Sequence, residues 1–187
     1  MDKPQECRPN SAYRWAEVTL KMILFCLAVD CVGAQTVDVC IVNDASLSRG
    51  TIRYVEFGLE AQQKELAAVF RFTCKSDAEN AVIIRLRNVP ASHQRGDALG
   101  AARTENGKVI GQIEVFCDPV RRVMAMRWQS WPALEGWAMA TVAAHEMYHY
   151  LNNEHDHGHG RLNQKIMNAE ALARGFRTVP RMASRSE

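Results

Sequence analysis

The chain has 187 residues, a length that is typical of one domain with a sizeable core. Hydrophobic residues make up 47% and charged residues 24%, which is ordinary globular usage and argues against collagen-like, disordered and multi-span membrane proteins. The net charge of +2, from 23 basic and 21 acidic residues, provides no field that would attract nucleic acid, so no nucleic-acid partner is expected.

The first 34 residues have the order of regions found in a secretory signal. A polar stretch precedes an apolar run over 22–29, and the small residues of 32–34 offer a cleavage site. The apolar run is much shorter than the ~20 residues of a membrane-spanning helix. We therefore expect removal of 1–34, which leaves a secreted or periplasmic protein without stable membrane association. The alternatives are a buried N-terminal helix and lipoprotein cleavage before Cys31, against which Asp30 argues.

Removal of this leader leaves three cysteines: Cys40, Cys74 and Cys117. Export permits disulfide formation, but three thiols of one chain can form only one bridge, and their spacing contains no C-x-x-C signature. We predict one bridge and one buried thiol, and the pairing stays open.

The mature chain begins with an apolar, β-branched segment over 36–43, which predicts a buried strand. Apolar residues then recur at steps of three, four and seven, which predicts a helix over 51–72. A second strand is expected over 81–86, and proline and glycine predict a loop over 88–97.

Asn106-Gly107 predicts a hairpin, because this dipeptide supplies the positive φ angles of tight primed turns. The first arm covers 98–103 and the second covers 108–117. Apolar and polar residues alternate along the second arm, which is the pattern of a half-exposed or edge strand.

Pro132 can occupy the first turn of a long, mostly apolar helix that we expect to run to about Asn153, with Ser130 as its candidate cap. The apolar character of this segment indicates a buried helix.

A loop rich in His and Gly follows, and Asn168 then caps a last short helix that ends near Gly175. Residues 177–187 read as a frayed tail. We therefore expect one α+β domain over 35–176, with a small mixed sheet, a buried long helix, an edge hairpin and a short C-terminal helix.

The long helix carries the segment His145-Glu146-Met147-Tyr148-His149. The two His residues lie one turn apart on one helix face, so both imidazoles can reach one metal ion. Glu146 points to the side, where a carboxylate can bond a metal-bound water without occupying the metal. The alternative is an accidental pair of surface His residues.

Two His ligands leave a zinc site one protein ligand short, so the third must come from elsewhere. If the helix stops at Asn152, a left-handed residue there would return His155 to the metal. If it stops at Asn153, His157 becomes the natural candidate, and His159 is a further possibility. These histidines could instead form a solvent-facing, metal-scavenging tract.

This pattern resembles the HExxHxxGxxH motif of the metzincin metallopeptidases. It reads here as His145-Glu146-x-x-His149-x-x-Asn152-x-x-His155. The family has a methionine in a tight turn below the metal, and Met167 in Lys-Ile-Met-Asn matches it. The motif covers 145–167, while the order of elements looks like a minimal metzincin domain of the kind found in small secreted bacterial proteins. Asn152 stands where the motif has glycine, which leaves the third ligand open. Some of those small bacterial proteins place the third His later in the chain, which would favour His157.

The resemblance implies a zinc-dependent peptidase that acts on a peptide or protein substrate. Bound zinc would lower the pKa of its water to about 7, and Glu146 would act as the general base. We take the segment over 108–117 as the edge strand, which could hold an extended peptide by strand addition. The competing hypotheses are a non-catalytic zinc-binding protein and an inactive, peptide-binding domain. Glu146 favours the enzyme, because a binding protein has no need for a carboxylate beside its ligands.

Overall fold

The structure, a computed structural model, describes residues 35–74, 81–90, 98–125, 131–154 and 167–176. The strands are β1 Gln35–Asn43, β2 Ala68–Phe72, β3 Val82–Arg87, β4 Gly100–Glu105 and β5 Lys108–Phe116. The helices are α1 Arg49–Glu60, α2 Gln63–Leu66, α3 Cys117–Ala125, α4 Pro132–Asn152 and α5 Ala169–Ala173. The predicted leader and the predicted tail lie outside the described residues, so both stay predictions.

The five strands form one mixed sheet in the order β2-β1-β3-β5-β4. Parallel pairing joins β1 to β2, β1 to β3 and β3 to β5, whereas β4 pairs antiparallel with β5. The hairpin therefore lies at one side of the sheet, and the α+β fold with a mixed sheet and a short C-terminal helix is confirmed.

The helix expected over 51–72 is shorter, because residues 68–72 form strand β2. Ala67 has a left-handed φ of 50° and ends α2, after which the chain pairs in parallel with β1. Along β2, Ala68 and Phe70 are buried whereas Val69 and Arg71 are exposed. Apolar residues four positions apart satisfy both a helical and a strand period, so the spacing alone did not separate the two structures.

The turn of the hairpin has the predicted conformation, with φ of 51° at Asn106 and 73° at Gly107. The assignment of 108–117 as an edge strand is wrong, because β5 lies between β3 and β4. In the described part of the sheet, β4 is the edge strand on this side and β2 is the edge strand on the other. The predicted strand also ends one residue earlier, since Cys117 begins α3.

The polar positions of β5 reflect the exposed face of the sheet. Glu114 pairs with Arg87 of β3 at 2.7 Å, and Gln112 accepts a hydrogen bond from Arg103 of β4 at 2.9 Å. Cross-strand partners of this kind let an interior strand carry charged residues on its solvent side. The alternation of apolar and polar residues therefore indicates that one face of β5 is exposed, but it does not indicate where the strand lies in the sheet.

Helix α4 is buried on nearly all sides and lies against both the sheet and α1. Two glycines allow the close approach of the helices. A Cβ at Gly136 would lie 2.6 Å from the carbonyl oxygen of Thr51, and one at Gly58 would lie 2.5 Å from the Cβ of Ala140. The helix starts with Trp131 at its N-cap position, so the expected cap Ser130, which lies outside the described residues, does not occupy that position.

The cysteine prediction is confirmed and the pairing is now assigned. Cys40 and Cys74 form a disulfide, and Cys117 is a free, buried cysteine. A disulfide favours an oxidising compartment, in agreement with the expected export. Within the described ranges, no helix has the length and apolar character needed to cross a membrane.

Candidate metal centre

His145 and His149 face each other on one side of α4, and their side chains are nearly inaccessible to solvent. Their exposed fractions are 7% and 6%, and their Nε2 atoms lie 3.2 Å apart. Two nitrogens that bind one tetrahedral zinc at 2.0–2.1 Å would lie about 3.3 Å apart. The two imidazoles therefore already have the spacing of ligands to a single metal ion.

The tautomer of His149 follows from its second hydrogen bond. Its Nδ1 lies 2.7 Å from the carbonyl oxygen of Glu154, which can only accept a hydrogen bond. Nδ1 therefore carries the proton, and the lone pair of Nε2 is directed at the Nε2 of His145. A backbone carbonyl on the second imidazole nitrogen is a common way to orient a metal-binding His. A metal ion bound here would take the place of the proton between the two Nε2 atoms.

The carbonyl of Glu154 reaches His149 because α4 ends in a left-handed turn. Asn153 has φ 50° and ψ 39°, and the N–H of Glu154 donates to the carbonyl oxygen of His149 at 3.1 Å. This bond reverses the chain over the last turn, as in a Schellman motif, and asparagine is one of the few residues besides glycine that adopt this conformation readily. The helix end thus brings a backbone acceptor back to a residue in its own last turn.

The observed stop at Asn153 is the second of the two helix ends considered from the sequence. Asn152 is the last residue of α4, and its side chain donates to the carbonyl oxygen of Tyr148 at 2.9 Å. His155, His157 and His159 lie outside the described residues. The third ligand therefore stays a prediction.

Glu146 lies beside the two imidazoles and is also buried, with an exposed fraction of 8%. Its Oε1 is 4.0 Å from the Nε2 of His145. Each of the three residues offers one ligand atom, and these atoms lie within 4.8 Å of one another. Among the described residues, this group of His145, Glu146 and His149 is the one whose side chains could hold a metal ion.

The carboxylate of Glu146 accepts a hydrogen bond from the backbone N–H of Ala102 in β4. Burial raises the pKa of Glu146 to about 7, although the hydrogen bond from Ala102 opposes the rise. A pKa near neutrality suits a group that must both accept and return a proton.

The Ala102 N–H points away from β5. Phe116 donates to the carbonyl oxygen of Leu99 at 2.8 Å, so these two residues form a hydrogen-bonded pair at the end of the β4–β5 ladder. Such pairs alternate along an antiparallel ladder, which makes the pair of Ala102 with Ile113 a non-hydrogen-bonded one. Glu146 therefore lies at the free side of the edge strand.

Gly100 allows β4 to come this close to α4. A Cβ at this position would lie 2.7 Å from the Cγ1 of Val142 and 3.1 Å from the Cγ of Glu146. Both distances are shorter than ordinary contacts between side chains. A glycine inside a strand often marks such a close approach, so the sequence contained a signal for this contact.

Met167 is partly buried and packs against the hydrophobic core, as do Tyr148 and Tyr150. The expected role of Met167 in a turn below the metal stays a prediction.

Sequence reasoning missed the backbone groups of the site, namely the N–H of Ala102 and the carbonyl of Glu154. Every residue type carries these backbone groups apart from the N–H that proline lacks, so the sequence contains no pattern that predicts where they act. It also missed the side chain of Asn153, whose Oδ1 accepts a hydrogen bond from the Val109 N–H of β5 at 3.0 Å.

Comparison of the chain with protein-family models, with curated proteins and with solved structures finds no match in any of the three. The interpretation of the site therefore rests on its own geometry.

Proposed function

We propose that the protein is a secreted zinc-dependent peptidase in which Glu146 is the general base. One observation carries the proposal: two buried imidazoles with their Nε2 atoms 3.2 Å apart lie next to a buried carboxylate. Zinc is the metal of choice because its sites use His nitrogens at this spacing, and a catalytic site keeps one position open for water. A hydrolase needs a carboxylate beside the metal ligands as its general base, whereas a metal-binding protein does not.

His157 is the third ligand in this proposal, with His155 as the alternative. The left-handed residue is Asn153, and this is the helix end for which the sequence favours the later histidine. Single alanine variants of the two residues, with His159→Ala as the comparison, separate the possibilities by zinc content. The histidine whose loss weakens zinc binding most is the ligand.

Zinc at this site would polarise the scissile carbonyl and lower the pKa of a bound water. The residues of the chain orient the metal ligand and transfer the proton. His149 is held in the tautomer that presents Nε2, and Glu146 takes the proton of the attacking water and returns it to the leaving amine. The N–H of Ala102 holds the Glu146 carboxylate on the side of the helix that faces β4.

The substrate is a peptide that lies along the free edge of β4, and not along β5 as the sequence pattern indicated. Three features support this placement. The outward N–H of Ala102 reaches Glu146, the edge of β4 has no strand beyond it in the described sheet, and residues 100–102 are small. The N–H of Ala102 stays with Glu146, so an extended peptide would pair with the other outward groups of this strand, those of Gly100 and the carbonyl of Ala102. Such a peptide would pass next to the candidate metal centre.

The same proposal includes removal of 1–34, a peptidase domain over 35–176, and a location outside the cytoplasm. The disulfide between Cys40 and Cys74 supports an oxidising compartment. Mass spectrometry of protein recovered from its native host tests the cleavage, and an intact Met1 would contradict it.

The decisive experiment compares wild type with Glu146→Gln on a mixed peptide library, with added zinc and with a chelator control. The substitution is nearly isosteric, so we expect it to retain one zinc per chain by elemental analysis. Hydrolysis should fall by about 10²- to 10⁴-fold, because an amide cannot accept the proton of water. Glu60→Gln, at an exposed position of α1, is the matched control and should cleave like wild type.

His145→Ala and His149→Ala should lose stoichiometric zinc. If zinc-loaded wild type cleaves no peptide, or if Glu146→Gln cleaves as fast as wild type, the protein is a non-catalytic zinc-binding or peptide-binding protein and the enzyme proposal is wrong.

A further inference from the structure

Asn153 links the candidate metal centre to the sheet through its backbone conformation and its side chain. Its left-handed backbone brings the carbonyl of Glu154 to within 2.7 Å of the Nδ1 of His149. Its side-chain Oδ1 accepts a hydrogen bond from the N–H of Val109 at 3.0 Å. Val109 is near the start of β5, so one side chain ties the end of α4 to the hairpin.

The hairpin is therefore attached to α4 on both of its arms. Ala102 of β4 donates to Glu146, and Val109 of β5 donates to Asn153. Glu146 is the proposed base, while Asn153 precedes the carbonyl that orients His149. The sheet thus constrains the carboxylate and the imidazole at the same time, through two backbone N–H groups of one hairpin.

A glycine at position 153 would satisfy the backbone turn equally well, since it adopts a positive φ at no steric cost. It would leave the N–H of Val109 without its acceptor and the end of α4 without its tie to the sheet. The choice of asparagine therefore combines the two roles in one residue.

We propose that Asn153 is a positioning residue that holds His149 in its metal-binding tautomer by fixing the last turn of α4 to β5. The inference deepens the proposed function, on which it rests for the identity of the metal. Partners that orient a metal-binding His change metal affinity by about 10- to 100-fold when they are lost. The effect on zinc should come from the side chain of Asn153 and not only from its backbone conformation.

Three variants of the full mature chain separate these contributions. Asn153→Gly keeps the left-handed turn and removes the side-chain acceptor. Asn153→Asp keeps both an acceptor oxygen and tolerance of the turn, since aspartate also adopts this conformation. Asn152→Ala is the matched control, because within the described residues the side chain of Asn152 donates to the carbonyl oxygen of Tyr148, inside the same helix.

Two measurements are made on each variant. Nitrogen–proton correlation NMR of the imidazoles reports the tautomer of His149 in chelator-treated protein. Competition with a chelating dye reports zinc affinity. We expect wild type, Asn153→Asp and Asn152→Ala to show a single Nδ1–H tautomer at His149 and closely similar zinc affinities. Asn153→Gly should show a mixture of tautomers and an affinity that is at least about tenfold weaker.

A purely structural role would lower the melting temperature of Asn153→Gly and leave both the tautomer and the zinc affinity of its folded form unchanged. That result overturns the inference, and so does a loss in Asn153→Asp as large as that in Asn153→Gly. Neither measurement depends on hydrolysis, so a wild type that binds zinc without cleaving peptides would refute only the peptidase proposal. If wild type binds no zinc, the tautomer measurement alone decides.

Discussion

Replacement of Gly100 by alanine tests the close approach of β4 to α4 on which the site depends. The new methyl group would lie 2.7 Å from the Cγ1 of Val142, 3.0 Å from the carbonyl oxygen of Glu114 and 3.1 Å from the Cγ of Glu146. The first neighbour belongs to a buried, β-branched side chain and the second to the backbone, so neither can move aside easily. The strand or the helix must therefore shift.

The magnitude follows from two opposing terms. Overpacking of one methyl group costs about 1–3 kcal/mol, while removal of glycine from a strand recovers about 0.5–1 kcal/mol of backbone entropy. The two terms combine to a net loss of about 0–2.5 kcal/mol in the free energy of unfolding. The contact with the backbone of Glu114 favours the upper part of this range, about 1–2 kcal/mol. For a domain of this size that lowers the melting temperature by about 2–8 °C. Because the methyl contacts Glu146 and not the His pair, the proposed function predicts that this variant retains zinc and hydrolyses peptides more slowly.

Gly111→Ala is the internal control on the other arm of the hairpin. Its Cβ would lie 3.4 Å from two atoms of Val82 and 3.6 Å from Tyr150, which are ordinary contacts. This variant should be as stable as wild type or more stable. Urea and thermal unfolding of the two variants beside wild type provide the measurement. If Gly100→Ala is no less stable than Gly111→Ala, β4 does not approach α4 as closely as described.

Three further outcomes are expected. Burial raises the pKa of Cys117 to about 12, so iodoacetamide at pH 8 should not label it in folded protein and should label it after denaturation; labelling of the native thiol would contradict its burial. Replacing both Cys40 and Cys74 by alanine opens a loop with a sequence separation of 34 and should cost about 3–4 kcal/mol in urea unfolding, whereas an unchanged midpoint would count against the bridge. In chelator-treated protein the pKa of Glu146 is raised from 4.5 to about 7, so its contribution to stability is fully present below pH 4.5 and is lost as the pH rises through 7. Unfolding free energies across this range should therefore fall in wild type and fall less in Glu146→Gln, and parallel curves would refute the assignment.

Features that depend on neighbouring residues were predictable from the chain. The spacing of His145, Glu146 and His149 placed both imidazoles on one helix face, and the structure brings them together. The Asn106-Gly107 turn formed as expected, because a dipeptide that favours positive φ determines a tight turn by itself. These are short-range consequences of helical periodicity and turn chemistry.

Features that depend on distant segments were decided only by the tertiary structure. The alternation in β5 reported one exposed face, but the order of strands made β4 the edge, since strand order is set by pairing between remote segments. The bridge of Cys40 with Cys74 is likewise possible only because β1 and β2 are neighbours. A local pattern contains no information about which segments become adjacent.

The candidate site also combines features that neighbouring residues determine with features that depend on distant segments. The side chains that could hold a metal have a recognisable spacing, whereas the groups that orient them are the N–H of Ala102 and the carbonyl of Glu154. Whether an asparagine continues a helix or ends it in a left-handed turn was a choice between Asn152 and Asn153 that the sequence left open. The hydrogen bond from Val109 to Asn153 lies at the observed end, and it joins residues 44 positions apart in the chain. Contacts over such distances form only when the sheet and the helix pack together.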